Sequence, residues 1–405
     1  MSDSAGIPGG TQSAAGFPKP PRSRRRRLLR WIGVGAATVV LAGSATGWWL
    51  YRKLDGNITE DASAEAELRR YERDRPAHFV SGAQNILLIG SDSRSGKDNA
   101  RYGQDQSGQR SDTTILLHLP ADRLSATAVS IPRDLMADIP ACLMAGGSRT
   151  REQFAQFNWA FQWGGAACTI RTAEKLTGIR IDHHMVIDFG GFKQMVDAIG
   201  GVEVCLKQPV NDSEAKLRLP AGRQTLQGEQ ALGFVRARYS LGNGSDTKRM
   251  ERQQQFLGSL VKKVQSNGVL LNPARLYPLL DAATSSVTTD PGLASLRGLY
   301  ELVRGVRDIP TNQVKFLTVP RRPYSGNPNR DELVEPDAER LFEQLRTDRP
   351  VTVAPPKPEN EIAPVESTPS AAKTGGADEG REGTATPSAP VPTFTGTTAG
   401  VADCR

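Results

Sequence analysis

Three stretches place charged side chains beside short apolar runs. Asn85–Ile89 (NILLI) ends in Gly90-Ser91-Asp92-Ser93-Arg94, Ile115–Leu117 follows Arg110-Ser111-Asp112-Thr113, and Ala126–Ile131 leads into Pro132-Arg133-Asp134. Carboxylates and guanidiniums gathered in one place suit a phosphate ligand. A hard divalent cation takes oxygen ligands, and Mg2+ typically uses one or two carboxylates plus substrate phosphate. Arg offers planar forks that match phosphate oxygens in pairs. The competing reading is a salt-bridge network at a strand edge. Farther on, Arg236 and Arg238 are two residues apart, which puts them on one face only where the chain is extended. Arg249 and Gln253 are spaced i, i+4 and share a helix face with Leu257, Leu260 and Val264. An ordinary amphipathic helix with a snorkelling Arg is the alternative there.

These groups meet only if particular elements carry them. The short apolar runs read as strands covered on both faces. If the first three strands run antiparallel in sequence order, Asp92, Arg94, Arg110, Asp112, Arg133 and Asp134 share one sheet edge; a parallel crossover through residues 95–109 would separate them. Further strands are read at His184–Phe189, Gly201–Leu206 and Lys315–Val319. Helices are read at 152–163, 166–177, 191–199, 229–236, 246–266, 273–284 and 336–346, with Asp246 as an N-cap. Strands mixed with helices and no long separation predict an α/β domain, a central mixed sheet with helices on both faces.

The 405 residues carry 51 Lys+Arg and 44 Asp+Glu, a formal charge of +7. The excess is local: residues 1–53 hold nine bases and one acid, leaving 42 bases and 43 acids in the remainder. A uniformly basic, nucleic-acid-coating body is therefore excluded, and no nucleic-acid partner is expected. Trp31–Leu50 has no formal charge and is long enough to cross a hydrocarbon core of ~30 Å. Trp31, Trp48, Trp49 and Tyr51 stand at its ends, and the Arg22–Arg30 cluster precedes it. An uncleaved transmembrane anchor with a cytoplasmic N-terminus is expected, against a cleaved signal peptide. The expected organisation is a disordered basic arm (1–27), a transmembrane helix (28–51), a charged stalk (54–79), a catalytic domain (80–349) and a disordered tail (350–405), the last with nine Pro.

In order, NILLIGSDSR, RSDTTILL, VSIPRDL, the Asn158-Trp159-Ala160-Phe161 stretch, IDHHMVIDFGGF, DAIGGVEVCL, LPAGRQTLQGEQALGFVRARY and SDTKRMERQQ resemble the LytR–CpsA–Psr family of envelope phosphotransferases. The resemblance covers about residues 80–265 and extends through PRRPYSGNPNRDELVEP. It implies Mg2+-dependent transfer of a glycopolymer-1-phosphate from an undecaprenyl-pyrophosphate carrier to a peptidoglycan sugar hydroxyl, releasing undecaprenyl phosphate. By the same resemblance Asp92 and Asp112 would hold Mg2+. Arg94, Arg110, Arg133, Arg236, Arg238, Arg249 and Gln253 would surround the pyrophosphate, with Asp134 and Asp246 orienting Arg side chains. One departure stands out: the family often has Lys where this chain has Gln156, so a cation at the phosphate edge is missing or is replaced by Arg149 or Arg151. Membrane lipid and peptidoglycan are the implied partners, with carrier hydrolysis as a side activity.

Two other readings stand beside this one. A non-catalytic envelope protein would bind the same lipids without turnover; a membrane-bound transcriptional regulator rests only on the basic arm. The identity of the polymer is open among teichoic acid, arabinogalactan and capsular polysaccharides. His183 and His184 point to opposite faces of a strand and are read as packing groups. Outside the membrane disulfides are permitted, and Cys142–Cys168 is the expected pair. Cys205–Cys404 is a second candidate, a free Cys404 its alternative.

Overall fold

The computed structural model describes residues 22–92, 111–237, 246–265, 273–355 and 392–401. Arg94, Arg110, Arg238 and Cys404 lie outside these residues, as does the side chain of Asp246. The chain divides into two units, residues 1–53 and 54–405.

The first unit is helical. Helix α1 (Arg22–Asn57) carries an apolar stretch long enough to cross a membrane. Two of its hydroxyls are satisfied within the helix: Thr38 Oγ1 donates to Val34 O and Thr46 Oγ1 to Ala42 O, each at 2.9 Å. Near its end Trp48 stacks on Tyr51 and lies under the Arg52 guanidinium. That is the aromatic and cationic grouping found at a membrane–water boundary.

The second unit is built on one mixed sheet. In chain order its strands are β1 (Thr59–Glu60), β2 (Gln84–Ser91), β3 (Ser111–Leu119), β4 (Ala126–Ile131), β5 (Met136–Ile139), β6 (Gln153–Gln156), β7 (His183–Asp188), β8 (Val202–Leu206), β9 (Val210–Asp212), β10 (Leu217–Leu219), β11 (Gly222–Leu226), β12 (Val287–Thr289), β13 (Val314–Thr318), β14 (Arg321–Tyr324), β15 (Asn327–Leu333), β16 (Thr352–Ala354) and β17 (Thr393–Thr398). Nine of them form the central sheet in the order β1-β12-β7-β2-β3-β4-β13-β17-β16. β2, β3 and β4 pair antiparallel in sequence order, as the reading of the charged edge required. β7 lies parallel to β2 and β13 parallel to β4, so the sheet is mixed.

Alternation along β2 feeds two cores. Leu87 and Ile89 face one side, packing with Ile170 and Ala173 of α3 (Asn158–Thr177) and with Leu341 of helix Asp337–Arg346. Ile86 and Leu88 face the other, toward Leu257 and Val261 of α6 (Asp246–Gln265) and Leu302 of helix Leu296–Val306. A third core joins β8–β11 to α4 (Phe189–Ala198), α5 (Gly228–Arg236) and Phe256 of α6. Helices therefore cover both faces of the sheet.

Three expectations need correction. The charged stalk belongs to the body: β1 pairs with β12, and α2 (Ala62–Arg70) buries Ala64, Glu67 and Leu68. Its charge pattern hid a short apolar stripe and an inward Glu67, which Arg149 binds at 2.8 Å. The helix read at 152–163 is instead β6, paired with β5, followed by α3 from Asn158. Nor is the whole tail disordered: β16 and β17 close the sheet edge, and Phe394, its one aromatic, is buried. Gly396 lets β17 approach β13; a Cβ there would meet Phe316 O at 2.4 Å.

Cys142 and Cys168 form a disulfide with a sequence separation of 26, tying the segment before β6 to α3. Cys205 is also disulfide-bonded. Replacing both Cys142 and Cys168 by Ser is expected to lower stability by about 3.5 kcal/mol, the loop-closure value for that separation. Chemical denaturation of the oxidised and substituted proteins measures it. His183 and His184 have structural partners: His183 Nδ1 lies 2.9 Å from Asp290 Oδ1, and His184 is buried near Asp61. Burial presses the Asp290 pKa upward, but the His183 hydrogen bond and charge outweigh it, leaving the carboxyl below its ordinary value.

Candidate active site

The charged edge is assembled by backbone register. β2 and β3 pair as Gly90↔Thr113 and then Ser91↔Ser111, so Asp112 is the extra residue of a β-bulge. A bulge unpairs one residue and re-aims its side chain. Here it aims Asp112 at the chain leaving β4, where Arg133 Nη1 donates to Asp112 Oδ1 at 2.9 Å. The Arg133 Nε donates to Asp134 Oδ2 at 3.2 Å, so one guanidinium spans both carboxylates. Asp134 is held further by Gln156 Nε2 at 2.5 Å, and Arg330 of β15 approaches to 3.7 Å. Asp134 is thus an orienting group with its oxygens engaged.

This explains Gln156. A buried neutral amide there donates to Asp134 instead of presenting a charge to a ligand. Arg149 does not replace the missing cation, because its guanidinium binds Glu67 and Tyr71. Arg151 stands exposed on the segment before β6.

The other wall comes from helices. Asp188 ends β7 and caps α4, accepting from Gly191 N at 2.8 Å, which points the start of that helix into the site. At the end of α5 the chain turns extended at Ala237. There the Arg236 guanidinium lies over Phe189, 4.6 Å from the ring centroid. α6 secures that turn: Arg252 donates to Ala237 O and Gln253 Nε2 to Val235 O at 3.2 Å. These bonds occupy carbonyls that a helix end leaves open. Gln253 therefore braces α5 and also lines the cavity beside Arg249. α6 is itself fixed to the sheet by Gln254, which donates to Ser130 Oγ at 3.3 Å and Thr318 Oγ1 at 3.0 Å.

Between these walls lies a cavity of about 420 Å³. Asp112, Arg133, Arg236 and Arg249 border it, Asp188, Asp212, Glu214 and Gln253 add further polar groups, and Leu88, Ile115, Phe192, Leu232, Val235 and Phe256 give it apolar walls. The cavity thus combines charged groups with apolar walls. Asp92 follows β2, beside the strand that carries Asp112. Among the described residues no cluster of three or more His, Cys, Asp or Glu forms a metal cage. Asp92 and Asp112, on adjoining strand ends, are the carboxylates that would hold a Mg2+ ion, a metal that takes one or two carboxylates with phosphate oxygens. Sequence reading missed Asp188, Arg252 and the Asp134–Gln156 bond. Asp188 stood in the quoted VIDFGGF; the other two become visible only when α5 meets α6 and β6 meets the β4–β5 turn.

The sequence pattern of the LytR_cpsA_psr family matches residues 54–347, well over half the chain, and the protein belongs to that family. It is 33% identical over 324 residues to the cell wall biosynthesis protein LcpA of Corynebacterium glutamicum, covering 74% of this chain and 61% of LcpA. It is 26% identical over 305 residues to the polyisoprenyl-teichoic acid–peptidoglycan teichoic acid transferase TagT of Bacillus subtilis, covering 72% of this chain and 88% of TagT. With LcpA, and with a second Corynebacterium protein, LcpB, the chain spans 61% and 64% of the relative's length. Among solved structures, protein gbs0355 of Streptococcus agalactiae has a TM-score of 0.55 at 22% identity, covering 67% of this chain and 89% of that one. The LytR-Csp2A-Psr enzyme of Actinomyces oris has a TM-score of 0.53 at 20% identity, covering 67% and 93%. These two likenesses bear on the fold.

Proposed function

We propose that this protein is a membrane-anchored phosphotransferase that moves a glycopolymer-1-phosphate from a polyprenyl-pyrophosphate carrier to a peptidoglycan sugar hydroxyl. The observation that carries the proposal is the single cavity joining the Asp112–Arg133 pair to an apolar groove. The relative named for teichoic acid transfer to peptidoglycan supports the choice of substrates. In this reading α1 anchors the chain with its N-terminus in the cytoplasm and the second unit outside.

The chemistry asked of the residues is positioning and charge stabilisation, which suffices for phosphoryl transfer. The apolar groove takes the first prenyl units, and Arg133, Arg236 and Arg249 engage pyrophosphate oxygens. The acceptor oxygen attacks the sugar-bearing phosphorus in line. A new P–O bond forms, the bond to the bridging oxygen breaks, and polyprenyl phosphate leaves, taking up the acceptor proton. The Arg set stabilises the charge growing on that leaving group. Arg133 stays aimed because Asp134, held by Gln156, fixes its Nε side. Asp92 and Asp112 would hold Mg2+, which when bound would neutralise phosphate charge.

Asp112→Asn keeps the shape of the bulge and removes the charge. We expect it to abolish transfer while leaving the thermal unfolding profile close to that of the parent, because Asp112 is partly exposed and contributes little to packing. Transfer at the parental rate with the Asn variant would remove Asp112 from the chemistry.

A further inference from the structure

Six large apolar side chains of the second unit are exposed among the described residues, and four of them, Phe79, Leu124, Tyr300 and Val303, lie at the sheet edge opposite the site. Leu124 is in the turn between β3 and β4, and Phe79 leads into β2. Both are therefore at the end of the sheet where β2 begins, far from Asp112. Helix Leu296–Val306 crosses that same end: its Gly298 and Leu302 share a cavity with Gln84, Arg123 and His183. Arg123 ties the turn to the start of β2, donating to Gln84 Oε1 at 2.7 Å.

The helix is two-sided. Leu302 and Val306 pack into the core, while Tyr300 is 58% and Val303 46% exposed. Tyr300 and Val303, three apart, form one outward apolar face. Arg297, Arg304 and Arg307 flank it; Glu301 pairs with Arg297 at 3.0 Å and Asp308 with Arg307 at 3.2 Å. An aromatic ring, an aliphatic group and Arg side chains able to snorkel suit the headgroup zone of a bilayer. The chain itself indicates which surface this edge faces. Asp55, two residues beyond the end of the first unit, accepts from Leu296 N at 2.9 Å through Oδ1, and Leu54 is buried. The helix thus begins beside the first residues of the second unit, which follow α1's apolar stretch in the chain.

We propose that this edge, Leu124 with Tyr300 and Val303 at its centre, docks into the lipid headgroup interface; the proposal rests on the reading of α1 as a membrane anchor. Docking holds β2 with its start toward lipid and its Asp92 end away. Leu88 and Ile115, in the apolar walls of the cavity, then lie on the lipid side of Gly90 and Asp112, the orientation a membrane-borne prenyl chain needs.

The test uses the full chain in lipid nanodiscs. Among the described residues no cysteine is free, so Leu124→Cys, Val303→Cys and, at the opposite edge, Ser325→Cys each accept one environment-sensitive fluorophore. Doxyl-labelled lipid is then added in place of plain lipid, and the anchor is followed through its tryptophans, Trp31, Trp48 and Trp49. The expected result is loss of fluorescence at positions 124 and 303, none at 325, and quenching of tryptophan. Quenched tryptophan with labels 124 and 303 as bright as label 325 overturns the docking face and leaves the anchor standing. Unquenched tryptophan overturns the anchor, and the docking face falls with it.

Discussion

Arg133→Ala is expected to lower the rate of glycopolymer transfer by about a thousandfold, the upper range for removing one preorganised donor from a developing oxyanion. The size follows from the position of the side chain. Its Nη1 is on Asp112 and its Nε on Asp134, so it lies between two carboxylates and borders the cavity. Truncation removes a cation from the phosphate end and leaves Asp112 and Asp134 with no charge between them. Asp134 keeps Gln156, so the local fold should survive. Arg133→Lys should restore only a small part of the rate, because an ammonium cannot make the two-sided planar contact. Single-turnover transfer assays on the three proteins measure this directly. Parental activity in the Ala variant would show that the pair is only a strand-edge salt bridge.

The second large effect is on stability. Phe256 is buried to 1% exposure, with ring centroids 5.6 Å from Phe192 and 6.4 Å from Phe234. It belongs to the core formed by α4, α5 and α6 and also lines the cavity. Phe256→Ala should cost about 3–5 kcal/mol, the usual range for emptying such a site. For a body of this size that is a fall in melting temperature of roughly 10 °C. The enlarged groove should also hold a prenyl chain less tightly, raising KM more than it lowers kcat. Phe256→Leu should recover most of both. Calorimetry together with steady-state kinetics separates the two effects; an unchanged melting temperature would mean that the α4–α5–α6 core is not packed as described.

Much of this site could be read from sequence because its parts are local. NILLI, ILL and ATAVSI are apolar runs too short for helices, and each is followed or preceded by Asp and Arg. Three antiparallel strands bring such ends together, and that is the order observed. What sequence could not supply is register and long-range pairing. Asp112 faces Arg133 because of a one-residue bulge, and nothing in RSDTT marks which residue is extra. Gln156 looked like a lost cation because its partner, Asp134, is 22 residues away in the chain. The tail misled by composition. Its Pro, Ser and Thr describe the segment as a whole, while Phe394 is buried, Gly396–Thr398 pair with β13 and Thr393–Thr395 pair with β16. The stalk misled similarly, since charge on one face of α2 said nothing about the Glu67 that turns inward to Arg149.

The proposed transfer breaks the bond between the sugar-bearing phosphorus and the bridging oxygen, and its products report which bond was cut. Full-length protein in nanodiscs is supplied with a polyprenyl-pyrophosphate-linked glycopolymer, peptidoglycan and Mg2+, and the lipid and wall products are identified by mass spectrometry. The expected products are glycopolymer joined to a peptidoglycan sugar through one phosphate and one polyprenyl monophosphate released per linkage, with neither product from Asp112→Asn. Recovery of the intact carrier, bound but never cleaved, or of polyprenyl pyrophosphate as the released lipid, would contradict it.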